Sequence, residues 1–375
     1  MGRFGAFFVT GDVSIRRRVE IGLLYSRSGS YRQMSEACRA GALAAIRAVN
    51  GDPAMPLILS PVERDPAGDA DRYAPLCADL LASSGARHVV GCITSSSRKE
   101  VIPVLEKAGA TLWYACPYEG FEASDRVIYT HAAPNQHLLP LLDWAMARFG
   151  RRGFLTGSNY IWGWEMNRIA REVLEAAGGE VLAERYLAVG DEDVERMVAE
   201  IGVARPDFVL NNLIGASSYA FLRAFADLAA RDPWFRPERC PVLSCNLTEC
   251  ELDALGPAAE GLVSAGPFFD GAGGWPGIGH GASASSYEAA AHASVLALAA
   301  LLAEGGNDTA APRALLARPV ARRLGIDPAT HHVRLPVLIA QVRQGRFDVL
   351  HRQPPVAADP YLAGRAPAPA LRVVG

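Results

Sequence analysis

The sequence predicts an α/β fold of two doubly wound parallel sheets, each making one lobe. Three observations carry this. From residue 19 onward, short apolar runs of strand length alternate with segments of helical period. The alternation comes in two series of similar length, with APNQ (133–136) between them. The chain has 375 residues, more than one ordinary core accommodates.

The first series opens with VEIGLLY (19–25), continuously apolar as a buried parallel strand is. It opens into SRSGS (26–30). A helix follows over 32–49, where Cys38, Ala42, Ala45 and Ile46 recur at helical spacing. Next come strand LILSPVE (57–63), loop DPAGD (65–69), helix 71–83, strand HVVGCI (88–93), helix 98–108, strand TLWYAC (111–116) and strand VIYTH (127–131). The second series comprises helix 137–149, strand GFLTG (153–157), helix 164–178, strand ERYLAV (184–189), helix 192–203, strand DFVLNNL (207–213), helix 217–230 and strand PVLSC (241–245). The tail differs. Strand LVSAGPFF (262–269) leads through a Gly-rich loop (271–286) into helix 285–304, and residues 332–352 read as a hairpin around Gln344-Gly345. These elements are too few for a third domain. They are expected to complete the first two, giving one lobe from 19–133 plus 265–340 and another from 134–264 plus 341–375.

Composition is that of an ordinary globular chain, half hydrophobic and 21% charged. The net charge is −3 and no basic block stands out, which argues against direct nucleic-acid binding. Seven scattered cysteines without C-x-x-C spacing argue against a disulfide framework or a zinc site and fit a reducing compartment. The apolar piece GAFFV near the start is too short for a signal-peptide core, so the chain reads as cytoplasmic. A native start carrying a signal peptide would make it periplasmic. The longest apolar stretch, 289–305, contains His292 and reads as a buried helix.

Ligands of parallel sheets bind beyond the carboxyl ends of the strands. Here those ends carry Ser26 and Ser28; Thr94, Ser95, Ser96 and Ser97; Tyr114, Cys116, Pro117 and Tyr118; and the runs GSNYIWGWE (157–165), NNLIGASS (211–218) and SCNLTE (244–249). Hydroxyls, amides and aromatics dominate, while carboxylates look sparse and unpaired. That set suits a small, neutral, hydrogen-bonding ligand. No phosphate loop, nucleophile elbow or H-E-x-x-H occurs, and GIGHG (277–281) matches a dinucleotide fingerprint only weakly. No enzyme activity and no cofactor are expected. Structural readings stand beside these. TSSS (94–97) reads equally as a helix N-cap, Trp162 and Trp164 as lobe-packing aromatics, Cys116 as a packing thiol, and Asn211 and Asn212 as a strand end. Arg98 and Lys99 read as a solvated face or a hold on the opposite lobe. His331 and His332 precede a strand, where neighbours point to opposite faces, which argues against a shared metal.

The blocks DPAGDADRY (65–73), GCITSSSRKEVIPVLE (91–106), YACPYEGFE (114–122), APNQ (133–136), GSNYIWGWEMN (157–167) and VAADPYL (356–362) occur in an order and spacing that resembles the type I periplasmic-binding-protein superfamily. Within it they are most similar to the amide sensors (AmiC-type) that negatively regulate aliphatic amidase operons, with the urea-binding proteins of ABC transporters beside them. The resemblance implies two lobes joined by three crossovers, a Venus-flytrap that closes on a short-chain amide or urea. The leading expectation is a cytoplasmic amide sensor that negatively regulates an amidase operon by holding an antiterminator protein; the alternative is the receptor of a urea or short-chain amide ABC transporter, with a membrane permease as partner. The resemblance implies no membrane insertion and is compatible with a homo-oligomer. It places ligand contacts on Ser95, Tyr114, Cys116 and Pro117 in the first lobe. In the second it places them on Tyr160, Trp162, the 215–217 turn with Ala216, and the 246–248 turn with Asn246. Ile93, Cys116, Trp162 and Gly163 depart from the usual pattern, which has an aromatic, a Thr-like residue, a Tyr or Phe, and a Pro. These departures point to an amide or urea shaped differently from acetamide.

Overall fold

The computed structural model describes residues 16–364 except 123, 280 and 307. The N-terminal stretch on which the compartment expectation rests lies outside the described residues. Five parallel strands make the first sheet: β1 (Arg17–Leu24), β2 (Leu57–Arg64), β3 (His88–Gly91), β4 (Thr111–Tyr114) and β5 (Val127–Tyr129), in the order β2-β1-β3-β4-β5. Helices α1 (Arg32–Gly51), α2 (Tyr73–Ser83) and α3 (Ser95–Ala108) connect them. β3, β4 and β5 are buried along their whole length, which is why they read as unbroken apolar runs.

The second sheet repeats the plan with β6 (Arg152–Ser158), β7 (Glu180–Leu187), β8 (Phe208–Asn212), β9 (Val242–Ser244) and β10 (Val263–Gly266). Its helices are α4 (Leu138–Met146), α5 (Ile161–Ala176), α6 (Glu195–Ala204), α7 (Gly215–Arg231) and the short α8 (Leu252–Leu255). After a small ribbon of β11 (Phe268–Phe269) and β12 (Ala272–Gly273), the chain returns to the first lobe as α9 (Ser286–Ala303). α9 is long and apolar enough to cross a membrane, but it is mostly buried inside the protein, packed on α1. Gly41 makes that packing close: a Cβ there would lie 2.0 Å from the Glu288 carbonyl oxygen. Two short helices, α10 (Pro312–Leu316) and α11 (Pro319–Arg323), then lead back to the second sheet.

There the chain ends as β13 (Leu335–Arg343) and β14 (Arg346–Val356), giving the order β14-β13-β10-β9-β8-β6-β7. The expected assignment of 265–340 to the first lobe therefore needs correction. Residues 335–340 belong to β13, which pairs antiparallel with β10 on one side and β14 on the other. The turn between β13 and β14 explains this. Gln344 and Gly345 both have positive φ, 52° and 75°, as a two-residue hairpin turn requires. Strands joined by two residues must pair with each other and cannot be divided between lobes.

Three crossovers join the lobes: one after β5, one after β10 and one before β13. The block APNQ stitches them. The Gln136 side chain accepts from the Ala133 amide at 2.9 Å and donates to the carbonyls of Val333 (3.0 Å) and Val356 (2.9 Å). Asn135 donates to the Ala357 carbonyl and accepts from the Asp359 amide, both at 2.8 Å, which fastens the tail VAADPYL to the first crossover. Thr130 adds a further tie, its hydroxyl 2.6 Å from that of Ser294 on α9. Replacing Gln136 with Ala strands one buried carbonyl, one part-buried carbonyl and one amide. It is expected to destabilise the protein by on the order of 3 kcal/mol in urea unfolding, whereas an unchanged midpoint would show that the crossovers hold without it.

Candidate ligand site between the lobes

The turn from β3 into α3 builds the first half of the site. Thr94 caps α3: its hydroxyl accepts from the Ser97 amide, and the Ser97 hydroxyl accepts from the Thr94 amide, both at 3.1 Å. The helix begins at Ser95, three residues before its expected start. Part of the hydroxyl run is thus an N-cap. The amides of Ser95 and Ser96, in the first turn, have no intrahelical acceptor.

Arg98 corrects a sequence reading. It is neither solvated nor extended across to the other lobe, but fully buried beneath the turn. Its guanidinium donates to Glu119 at 2.6 Å and to Glu122 at 2.9 Å. It lies 4.7 Å from the Tyr114 ring centre and 5.1 Å from that of Tyr118. Lys99 reaches Glu122 at 3.0 Å. The carboxylates of PYEGFE are therefore paired and buried, where the sequence suggested sparse, unpaired ones. Burial pushes the Glu122 carboxyl up, but the Arg98 charge outweighs it and brings the pKa down to about 2. Tyr129 also donates to Glu122.

Tyr114 ends β4 with its hydroxyl on the Ile93 carbonyl at 2.9 Å, so it presents its ring as a wall. From the second lobe come Tyr160 and Trp162 at the start of α5, Ile214 before α7, and Asn246 after β9. The Asn246 side chain is held by Ser244 (3.1 Å) and the Leu213 carbonyl (3.3 Å), and the Tyr287 hydroxyl of α9 donates to its backbone carbonyl at 2.9 Å. The indole N–H of Trp162 is buried and has no hydrogen-bond partner among the described residues.

These side chains line a small, partly open cavity of about 20 Å³. Of the eight residues singled out from sequence, Ser95, Tyr114, Pro117, Tyr160, Trp162 and Asn246 line it. Cys116 and Ala216 do not. The Cys116 thiol turns inward and contacts the Cys92 carbonyl at 3.5 Å, while Ala216 sits in the first turn of α7, outside the lining. Ser26 instead binds the Tyr73 hydroxyl (2.9 Å) and the Gly68 amide (3.0 Å), fixing the block 65–73 to the end of β1. Asn211 and Asn212 tie β8 to Ser218 and Asn167, both at 2.8 Å. Met34, Ile214 and Tyr287 also line the cavity, and sequence reasoning missed them. Met34 and Tyr287 lie on helices, away from the strand ends that were searched. Ile214 does follow a strand but carries no polar group to mark it.

The lobes are closed on one another. Gly215 has φ 56°, and a Cβ there would lie 1.9 Å from the Ser30 carbonyl oxygen of the first lobe. Arg168 of α5 lies 4.7 Å from the ring centre of Phe121 in the first lobe. Gly215→Ala is expected to prop the lobes apart and weaken ligand binding by at least about tenfold, read by calorimetry; unchanged affinity would mean that closure at Ser30 is dispensable. A second expectation concerns acid. The folded-state pKa of Glu122 lies below its ordinary value of 4.5, so its contribution is complete above about pH 4.5 and is lost as pH falls toward about 2. Glu122→Gln should flatten the stability profile across that window, and an equally steep acid loss in the variant would locate the effect elsewhere.

A model of the family described as periplasmic binding protein domain matches residues 19–274. Among solved structures, a solute-binding protein of an ABC transporter from Rhodopseudomonas palustris HaA2, in complex with p-hydroxybenzoic acid, is similar at a TM-score of 0.78 and 17% identity, covering 93% of this chain and 100% of its own. An R. palustris solute-binding protein in complex with benzoate reaches 0.74 at 18% identity, covering 91% of this chain and 98% of its own. The branched-chain amino acid transporter substrate-binding protein LivJ of Streptococcus pneumoniae, in complex with isoleucine, reaches 0.69 at 15% identity, covering 91% and 99%. At such identities the likeness establishes the fold, two α/β lobes about a cleft. The family is one of binding proteins and not of enzymes. By the match over most of its length, this chain belongs to the periplasmic binding protein domain family.

Proposed function

We propose that the protein is a solute-binding protein that closes on a small neutral ligand, a carboxamide or urea-like compound, and delivers it to an ABC-type importer. One observation carries the ligand class: among the described residues, none of the side chains lining the cavity is Asp, Glu, Lys or Arg. Arg98, directly beneath, is taken up by Glu119 and Glu122. A site of aromatic walls with a few fixed polar groups favours a planar ligand with its own hydrogen-bonding groups. Ser95, Tyr114, Pro117, Tyr160, Trp162 and Asn246 are its proposed contacts.

The transport role is supported by the solved proteins of the same fold, which are receptors of ABC transporters. In this reading the protein works in the periplasm and its protein partner is a permease, in place of the cytoplasmic compartment and antiterminator expected of an amide sensor. The blocks that resemble those of the amide sensors support the ligand class alone. Calorimetry with acetamide, urea and benzamide is expected to show binding by at least one of them, with an affinity little changed by salt because no ligand charge is present to screen. An affinity that falls steeply with salt would overturn the neutral-ligand assignment.

A further inference from the structure

We propose that Glu119 fixes the polarity of the site, so that Ser95 can only accept a hydrogen bond and the ligand must supply a donor there. This rests on the reading of the cavity as the ligand site. The Ser95 hydroxyl donates to Glu119 Oε2 at 2.8 Å. The same carboxylate is held by two nitrogens of Arg98, at 2.6 and 3.3 Å. A carboxylate paired with a guanidinium is an acceptor only, so the single Ser95 proton is committed to it. What Ser95 turns to the cavity is oxygen lone pairs. Ser95 is 1% exposed, so water has little access to reorganise the arrangement.

Trp162 also lines the cavity. Its buried indole N–H has no partner among the described residues and requires an acceptor. The first-turn amides of α3 add donors near Ser95. The site thus asks for a ligand that carries a donor beside an acceptor, as a carboxamide or urea does. A ketone or ester of the same shape would leave Ser95 facing a methyl group or a second lone pair. Glu119 acts through Ser95 and is a positioning residue.

The test uses two isosteric pairs, benzamide with acetophenone and acetamide with acetone, in which NH₂ is exchanged for CH₃. Wild-type protein is expected to favour the amide in a pair that binds by about 10- to 100-fold. Ser95→Ala should bring the ratio near one by lowering amide affinity, with ketone affinity retained. Ser95→Thr, which keeps the hydroxyl, should restore the preference. Glu119→Gln can donate to Ser95 and release its proton toward the ligand, so this variant should also lose the preference. Thermal unfolding of each variant checks that the fold is intact. A ratio near one in the wild type, or an undiminished ratio in Ser95→Ala, overturns the inference and leaves the neutral-ligand site standing. If none of the four compounds binds, the site reading and the inference fall together.

Discussion

A guanidinium with no exposed surface has to be matched in full, and the first lobe is organised around doing so for Arg98. Isolated, such a charge would cost several kcal/mol to bury. Two carboxylates and the faces of Tyr114 and Tyr118 surround it. To deliver those carboxylates, the chain after β4 must fold back over α3. That return brings Pro117 into the cavity lining with Tyr114 and Ser95. The tail then locks the return in place, with the Pro360 carbonyl accepting from the Phe121 amide at 2.9 Å. One ion-pair cluster therefore links local capping, loop path and the charge of the ligand cavity.

The second constraint is closure. The crossovers are tied by side chains that bond backbone groups, chiefly Gln136 and Asn135, so the hinge is specified by geometry more than by bulk packing. His131 and His137 in the same crossover are kept neutral by burial, with pKa values lowered to about 3 and about 4. At neutral pH the hinge thus carries no histidine charge from these two. The second lobe contributes rigid pieces, with Trp162 and Ile214 set at the starts of α5 and α7. Closure brings a prearranged aromatic and amide surface against the α3 turn.

Much of this was legible in the sequence. The alternation of apolar runs and helical segments placed the elements of both sheets to within a few residues, because buried parallel strands and amphipathic helices have different periods. Of the eight contacts that the family resemblance implied, six line the cavity. What escaped the sequence reading shares one cause, since one chain of letters does not show which distant residues meet. Arg98 looked solvated because its partners lie 21 and 24 residues further on. Cys116 was placed in the cleft by the family resemblance, but the backbone turns its thiol inward. Residues 335–340 were assigned by counting elements between lobes, where the hairpin turn at Gln344-Gly345 was the stronger local signal.

The Arg98 charge is consumed within the protein, leaving a cavity lining without charged side chains among the described residues. Paired titrations of the wild-type protein with benzamide and benzoate, which have nearly the same shape and differ by one charge, test it most directly. Benzamide is expected to bind more tightly and benzoate weakly or not at all, since a carboxylate would face the lone pairs of Ser95 with no cation to meet it. Tight binding of benzoate, weakening steeply as salt is added, would show instead that the charge of Arg98 reaches the ligand.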